Sequence, residues 1–282
     1  MTQISIIIPA RNEARSLESL LPAIRRNFPK AELIVVNDGS TDDTPQICAA
    51  NDVHAVSHPY PKGNGAAIKS GARAASGDIL VFMDGDGQHR PEEIQSLLAR
   101  IEGGYDMVVG ARSQAGHASR GRLAANSIYN WLATRITGHH VADLTSGFRA
   151  VRATMFREFL YLLPNGFSYP TTITMAFFRA GYSVTYAPIT AEQRVGKSHI
   201  QPIKDGVRFL LIIFKVGTLY SPLKIFFPAS FAFFTMGLGY YIYTYIFRHQ
   251  FTNMGALLFS VAAIIFLIGL ISEQITALMY KR

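Results

Sequence analysis

The chain has 282 residues, with 27 Lys and Arg against 19 Asp and Glu for a formal charge of +8. Hydrophobic residues make up 49% and charged residues 16%, which excludes a disordered chain and is apolar for a soluble domain of this size. One cysteine, Cys48, excludes an internal disulfide framework and a cysteine-rich zinc or iron–sulfur site.

The N-terminal MTQISIIIPARNE carries a charge by residue 11 and lacks a signal-peptide core with a cleavage site, so no secretory leader is expected. Ile4 to Pro9 is a short apolar run of strand type. Ser16 to Phe28 reads as a helix with Leu17, Leu20, Leu21 and Ile24 on one face. Glu32 to Asn37 is a second strand, ending in the turn and cap cluster Asp38-Gly39-Ser40 before a helix from Pro45 to Asn51. Val53 to Ser57 is a third strand, Asn64 to Ala75 a helix, and Asp78 to Met83 a fourth strand running into Asp84. A helix over Pro91 to Glu102 and a fifth strand over Tyr105 to Gly110 follow. Continuous apolar strands alternating with helices predict an α/β fold with a parallel sheet covered on both faces. Ligands of such sheets bind beyond the carboxyl ends of the strands. Those ends carry Pro9-Ala10-Arg11-Asn12-Glu13, Asp38-Gly39-Ser40 and Asp84-Gly85-Asp86.

The apolar excess lies at the other end of the chain. Ile225 to Phe247 is 23 residues without a charge, and Gln250 to Ser272 is a second uncharged stretch. At 1.5 Å per residue the first is about 35 Å long, enough to cross a hydrocarbon core. Two transmembrane helices joined by the hairpin RHQFTNM are expected. Lys204, Arg208, Lys215 and Lys224 precede the pair, Lys281 and Arg282 follow it, and only Arg248 and His249 sit in the hairpin. The positive-inside rule then puts the first 220 or so residues in the cytoplasm. Between Pro202 and Pro222, cations alternate with Phe209, Leu210, Leu211, Ile212, Phe214 and Leu219, the pattern of a helix lying in the interface. Gly237, Gly239, Gly255 and Ala256 allow close helix contact or a homo-oligomer. Membrane lipid and phosphorylated substrates account for the basic balance without nucleic acid.

Residues 83 to 89, MDGDGQH, are the most informative. Two carboxylates two apart after a buried strand, with Gln88 at the next alternate position, present oxygens to one hard cation, Mg²⁺ or Mn²⁺, that shares a diphosphate. An Asp-Gly turn in solvent is the plain alternative. His89 is a candidate fourth ligand, but a nearby exposed imidazole is the expectation. Asp38, just past a strand end, suits hydrogen bonds from a base or ribose, or else a helix cap. KGNGAAIKSG, residues 62 to 71, fails GxGxxG at Ile68 and is no phosphate-cradling loop. It reads as a helix start packed close to the sheet, with Lys69 near a phosphate.

Together these residues resemble the family 2 glycosyltransferases of the GT-A (Rossmann-like) fold. They are most similar to the polyprenyl-phosphate glycosyltransferases of the dolichol-phosphate mannose synthase kind. The resemblance covers residues 4 to about 200 and the paired spans. It implies that Pro9, Asn12, Glu13 and Asp38, with Ala10, Arg11 and Gly85 beside them, hold a nucleotide diphosphate sugar. The DxDxQ pattern implies nucleotide contact for Asp84 and metal ligation for Asp86 and Gln88. Gly110-Ala111-Arg112 matches G-x-R, and Arg122 with Asn126 falls where the family has an arginine and a small polar partner, which implies Arg112, Arg122 and Asn126 at the acceptor phosphate. Asp143 to Arg149 matches DxTSGFR, the acceptor-side wall. Arg194-Val-Gly-Lys-Ser198 resembles R-x-x-G-x-S-K, shortened by one residue, which implies Arg194, Lys197 and Ser198 at the phosphate. His199 stands where the family often has Lys.

No acidic residue lies between Glu158 and Glu192, a region where glycosyltransferases with hydroxyl acceptors commonly carry a catalytic acid. A hydroxyl needs a general base, whereas a lipid monophosphate is already ionised and needs positioning and charge compensation by arginines. Asp143 is a candidate base, but a role orienting Arg149 or nearby backbone is the expectation. The sequence therefore predicts a GT-A catalytic domain over 1–200, an interfacial segment over 201–223 and a transmembrane hairpin over 224–280. The expected activity is metal-dependent, inverting hexose transfer to polyprenyl phosphate, with Asp86, Arg112 and Arg122 central to catalysis. A sugar-hydroxyl acceptor and a silent adaptor that only binds nucleotide sugar are the rivals.

Overall fold

The structure, a computed structural model, describes residues 2–112, 120–166, 168–190, 214, 217, 218, 220–250 and 252–279, without the side chains of 120–126 and 248. The chain forms two compact units, Met1–Ile200 and Gln201–Arg282.

The first unit alternates as the apolar runs require. Strand β1 (Ile4–Ala10), helix α1 (Ala14–Asn27), β2 (Glu32–Asn37), α2 (Thr44–Ala50), β3 (His54–Ser57), α3 (Asn64–Ala74) and β4 (Ile79–Phe82) come first. Helix α4 (Ile94–Glu102) follows a short 3₁₀ turn at Pro91–Glu93, where one continuous helix is predicted. The unit continues with β5 (Met107–Arg112), α5 (Arg120–Thr137), β6 (Arg149–Arg152), α6 (Ala153–Glu158), α7 (Tyr169–Ala180) and β7 (Val184–Ile189). On one face of the sheet, Ile6, Ile8, Val35, Val81, Val108 and Ala150 form a buried core with Leu17, Leu21 and Ile24 of α1 and Ile94, Leu97 and Ile101 of α4. On the other, α3 lies so close that a Cβ on Gly71 would meet Ile7 Cγ2 at 2.3 Å. The close packing of α3 expected from sequence is therefore present.

The seven strands run in the order β3-β2-β1-β4-β6-β5-β7. All neighbours are parallel except β6, which is antiparallel to both β4 and β5. The mostly parallel sheet expected of the GT-A fold is thus present, with β6 as its reversed strand. Strand β6 escapes prediction because RAVR starts and ends on arginine and lacks the apolar run that marks a buried strand. Its reversal matters for the site. The residues entering β6 stand at the same sheet edge as the ends of β1, β4 and β5, with Arg149 opposite both Phe82 and Val109.

The second unit is a pair of helices, α8 (Leu223–Arg248) and α9 (Asn253–Met279). Leu223–Phe247 and Asn253–Met279 are long and apolar enough to cross a membrane, with mean hydropathies of 1.4 and 2.7. Small residues let the helices touch: a Cβ on Gly269 would meet Phe226 Cβ at 2.7 Å, whereas Gly239 faces open space. Ser230 Oγ donates to the Ala262 carbonyl at 2.8 Å, and Glu273 accepts from the Leu223 N–H at 3.2 Å. Most of the interfacial segment predicted over 201–223 lies outside the described residues.

Candidate active site

The first polar cluster leaves the end of β1. Arg11 and Asn12 are exposed, Pro9 and Glu13 are half-buried, and Ala10 is buried. Asn12 takes φ 57, a left-handed conformation that asparagine tolerates better than most residues. Its N–H donates to Ser40 Oγ at 3.0 Å, and its Oδ1 accepts from the Thr41 N–H at 2.8 Å. The Glu13 N–H donates to Thr44 Oγ1 at 3.2 Å and the Ala14 N–H to Asp42 Oδ2 at 3.1 Å. The ends of β1 and β2 are thereby joined into one ridge.

Asp38 has a use that the sequence did not reveal. It is buried, and Oδ1 accepts from the His58 ring and the Lys62 N–H, both at 2.7 Å, while Oδ2 accepts from the Gly63 N–H at 2.8 Å. Burial disfavours its charge, but these donors outweigh that and hold the carboxyl below the usual aspartate range. Asp38 therefore ties down the 58–63 loop. The same loop leads into α3, whose first turn meets residues 163–166: the Ala66 N–H donates to the Asn165 carbonyl at 2.9 Å. Lys69, expected near a phosphate, donates to the Leu163 carbonyl at 3.1 Å and to Asn165 Oδ1.

Beyond β4, Asp84, Asp86 and Gln88 are half-buried. Gly85 is pressed against β1, where a Cβ would stand 3.2 Å from the Pro9 carbonyl. Asp86 Oδ1 accepts from the Gln88 N–H at 3.2 Å. Asp84 faces Gly147 at the entry to β6 so closely that a Cβ there would stand 2.9 Å from Asp84 Oδ2. His89 is not the exposed imidazole expected. It is buried and stacked on Phe148, ring centroids 4.8 Å apart, with Nε2 3.8 Å from Asp84 Oδ2. Phe148 reaches it only because β6 is inserted beside β4, which no local pattern announces. Among the described residues, no three His, Cys, Asp or Glu side chains gather into a metal cluster. The donor set of Asp84, Asp86 and Gln88 is all oxygen and incomplete, which fits a hard cation that takes its other ligands from a diphosphate.

Arg112, at the end of β5, meets Asp143. Nε donates to Oδ2 at 2.8 Å and Nη2 to Oδ1 at 3.1 Å, and Nη2 also reaches Thr145 Oγ1 at 2.6 Å. Asp143 accepts in addition from the Thr145 and Ser146 N–H groups, each at 3.1 Å. Burial works against the charge of both partners. The bidentate pair more than offsets it, so Asp143 titrates below and Arg112 above its ordinary range, with Asp84 adding to the shift of Arg112. Asp143 thus orients nearby backbone as expected, but its arginine is Arg112, not Arg149. Arg149 lies on the α7 side of β6, fully buried, and donates to the Pro170 carbonyl and Thr174 Oγ1, each at 3.2 Å, and to the Ser146 carbonyl.

The edge therefore brings together Pro9–Glu13, Asp84–Gln88, Arg112 and the 143–148 segment. The side chains of Arg122 and Asn126, on the first turns of α5, and all of Arg194, Lys197 and Ser198 lie outside the described residues. Thr145 and Gly147 fall within the segment read as the acceptor-side wall, but their contacts to Arg112 and Asp84, like the role of His58 at Asp38, escaped the sequence reading because the partners stand 20 or more residues away in the chain.

Comparison with known proteins agrees with this fold. Residues 5–160 match the glycosyl transferase family 2 model, and residues 221–278 match the GtrB C-terminal hairpin. The chain is 32% identical over 207 residues to an undecaprenyl-phosphate mannosyltransferase of Micrococcus luteus, covering 68% of this chain and 85% of that protein. It is 29% identical over 204 residues to a polyprenol monophosphomannose synthase of Mycolicibacterium smegmatis, covering 67% and 77%. Glycosyltransferase AglJ of Haloferax volcanii is 27% identical over 291 residues, covering 98% and 94%. Among solved structures, glucosyl-3-phosphoglycerate synthase of Mycobacterium tuberculosis, in complex with Mn²⁺, UDP-glucose and phosphoglyceric acid, shares the fold. The TM-score is 0.62 at 21% identity, over 77% of this chain and 80% of that one.

Proposed function

Because the chain belongs to glycosyl transferase family 2 and carries a C-terminal membrane hairpin, we propose that it moves a hexose from a nucleotide diphosphate sugar to a polyprenyl phosphate at the cytoplasmic face. The observation that carries this reading is the state of Asp143. Its carboxylate accepts six hydrogen bonds, three from Arg112, two from Thr145 and one from the Ser146 N–H, and it resists protonation. The acid within the acceptor-side wall is thus a poor general base, which suits an acceptor that arrives ionised. The lipid-phosphate acceptors in the names of two relatives support the same class.

In this reading Pro9 to Glu13 and Asp84 hold the nucleotide diphosphate, and Asp38 acts at one remove through the 58–63 loop. Asp86 and Gln88 are the ligands for Mg²⁺ or Mn²⁺, which when bound neutralises charge on the departing diphosphate. Arg112, matched by Asp143, sets the wall beside Asp84. Arg122, Asn126, Arg194, Lys197 and Ser198 hold the acceptor phosphate, whose oxygen attacks the anomeric carbon opposite the leaving group. The fixed donors and charges lower the barrier by being in place beforehand.

The test is transfer of labelled sugar by the purified full chain from a panel of nucleotide sugars. Polyprenyl phosphate, the free polyprenol and a lipid-linked sugar are offered as separate acceptors. Label in polyprenyl-phosphate sugar alone is expected. Transfer only to a hydroxyl acceptor, or to none with any donor, overturns the proposal.

A further inference from the structure

The aspartates at the catalytic edge are not used alike. Asp38 and Asp143 are buried, and donors of the protein occupy their oxygens. Asp84 is half-buried and accepts no hydrogen bond from a described residue. His89 Nε2, 3.8 Å from its Oδ2, is beyond hydrogen-bond reach. Gly147 stands against this carboxylate, where a Cβ would lie 2.9 Å from Oδ2. The Gly147 N–H likewise donates to no described residue. Backbone N–H groups almost always find an acceptor, so an unengaged donor beside an unengaged carboxylate points to a third group that meets both.

The direction of the N–H is set from the far side of β6. Arg149, fully buried, donates to the Ser146 carbonyl, and Tyr169 Oη donates to the Gly147 carbonyl at 3.1 Å. The guanidinium is itself anchored on α7 through the Pro170 carbonyl and Thr174 Oγ1, and it lies 5.7 Å from the centre of the Tyr169 ring. The peptide bonds are trans. With the Ser146 carbonyl on Arg149, the planar 146–147 unit turns the Gly147 N–H away from α7.

Chemistry identifies what the pair takes. A phosphate oxygen suits the N–H but is repelled by Asp84, and a cation suits Asp84 but not the N–H. A hydroxyl accepts from the one and donates to the other. Sheet order says whose hydroxyl it is. The ridge at the ends of β1 and β2 lies on one side of β4, and Gly147, entering β6, lies on the other. With the nucleotide on the ridge, a group between Asp84 and Gly147 is on the side of the acceptor wall, where the transferred sugar has to stand.

We propose that the Asp84 carboxylate and the Gly147 N–H together read one hydroxyl of the transferred sugar, with Arg149 and Tyr169 as positioning residues that aim the N–H. The inference rests on the nucleotide-sugar donor of the proposed function and is independent of the lipid acceptor.

The full chain in detergent, with Mn²⁺ present, is titrated with UDP-glucose and GDP-mannose. Each is compared with its 2-, 3-, 4- and 6-deoxy sugar analogues and with its 2′-deoxyribose counterpart. Affinity is read by calorimetry, so the result does not depend on which acceptor is used. One sugar position should stand out, its deoxy analogue binding about 100-fold more weakly because both partners are left unpaired. Asp84→Asn should shrink that penalty to about tenfold or less, since it removes the charge-assisted bond. Tyr169→Phe keeps the ring and drops the hydroxyl that holds the Gly147 carbonyl. It should shrink the same penalty and leave those at other positions unchanged, whereas loss of packing alone would weaken every analogue alike. A penalty that both variants leave intact overturns the proposal. So does a donor with no sensitive sugar position, or with sensitivity confined to the ribose. Binding with the expected pattern but no transfer to polyprenyl phosphate would refute the proposed acceptor and leave the sugar contact standing.

Discussion

A methyl group on residue 147 would stand 2.9 Å from Asp84 Oδ2 and 3.2 Å from Oδ1. One of the two must move, and the Asp84 side chain, 36% exposed, is the freer. Gly147→Ala should therefore cost little stability, about 1 kcal/mol, yet lower kcat/KM roughly tenfold or more by displacing a donor-site carboxylate. Steady-state kinetics beside a thermal melt separates the two effects. Asp86→Ala should abolish transfer, and a chelator should do the same to the unmodified protein, reversibly on adding Mn²⁺. Full activity in excess chelator would remove the metal from the scheme. Asp143 makes a prediction about pH. Its folded carboxyl titrates below the unfolded value of about 3.9, so its stabilisation is present above that pH and is lost as pH falls through the folded value. Asp143→Asn should cost about 2–3 kcal/mol at pH 7, less than breaking a wholly buried pair because the Arg112 side chain is 27% exposed. Denaturation curves of the variant should also flatten below about pH 4 relative to the parent.

At the scale of elements, the start of α3 and the 163–166 segment fit without slack. A Cβ on Gly65 would stand 2.0 Å from the Pro164 carbonyl, and both parts are held by backbone hydrogen bonds that allow little retreat. Gly65→Ala should destabilise the protein by about 2–3 kcal/mol, read from chemical denaturation in detergent. A variant with unchanged stability would mean that the two segments separate freely. The same contact shows the reach of a pattern reading. The glycines of KGNG mark a close approach, and sequence reasoning rightly assigned a helix packed tightly on the sheet. It could not tell that the first turn meets a loop about 100 residues away, nor that Lys69 is engaged there.

For the whole molecule, orientation follows from where cations flank the spans. Lys224 precedes α8 and Lys281 and Arg282 follow α9, against Arg248 and His249 between them. The proposed topology leaves the catalytic unit in the cytoplasm. An epitope inserted at Asn253 should be labelled on intact cells, while added protease should leave residues 1–200 uncut. Cleavage of that unit from outside would reverse the orientation and deny it a cytoplasmic donor.

The sequence alone determined the elements whose signal is local. Apolar runs marked β1 to β5, periodicity marked α1 and α4, and two uncharged stretches marked the hairpin, because burial on both faces, on one stripe or in lipid leaves a pattern within neighbouring residues. It also placed Asp84, Asp86 and Gln88 together just past the fourth strand, where the structure has them. Only the tertiary structure decided that β6 runs against its neighbours, that Asp143 pairs with Arg112 while Arg149 turns to the other face, and that Asp38 holds a loop. Those choices are made by strand register and by contacts between residues about 20 to 30 or more positions apart, and a charged side chain carries no mark of which distant partner will neutralise it.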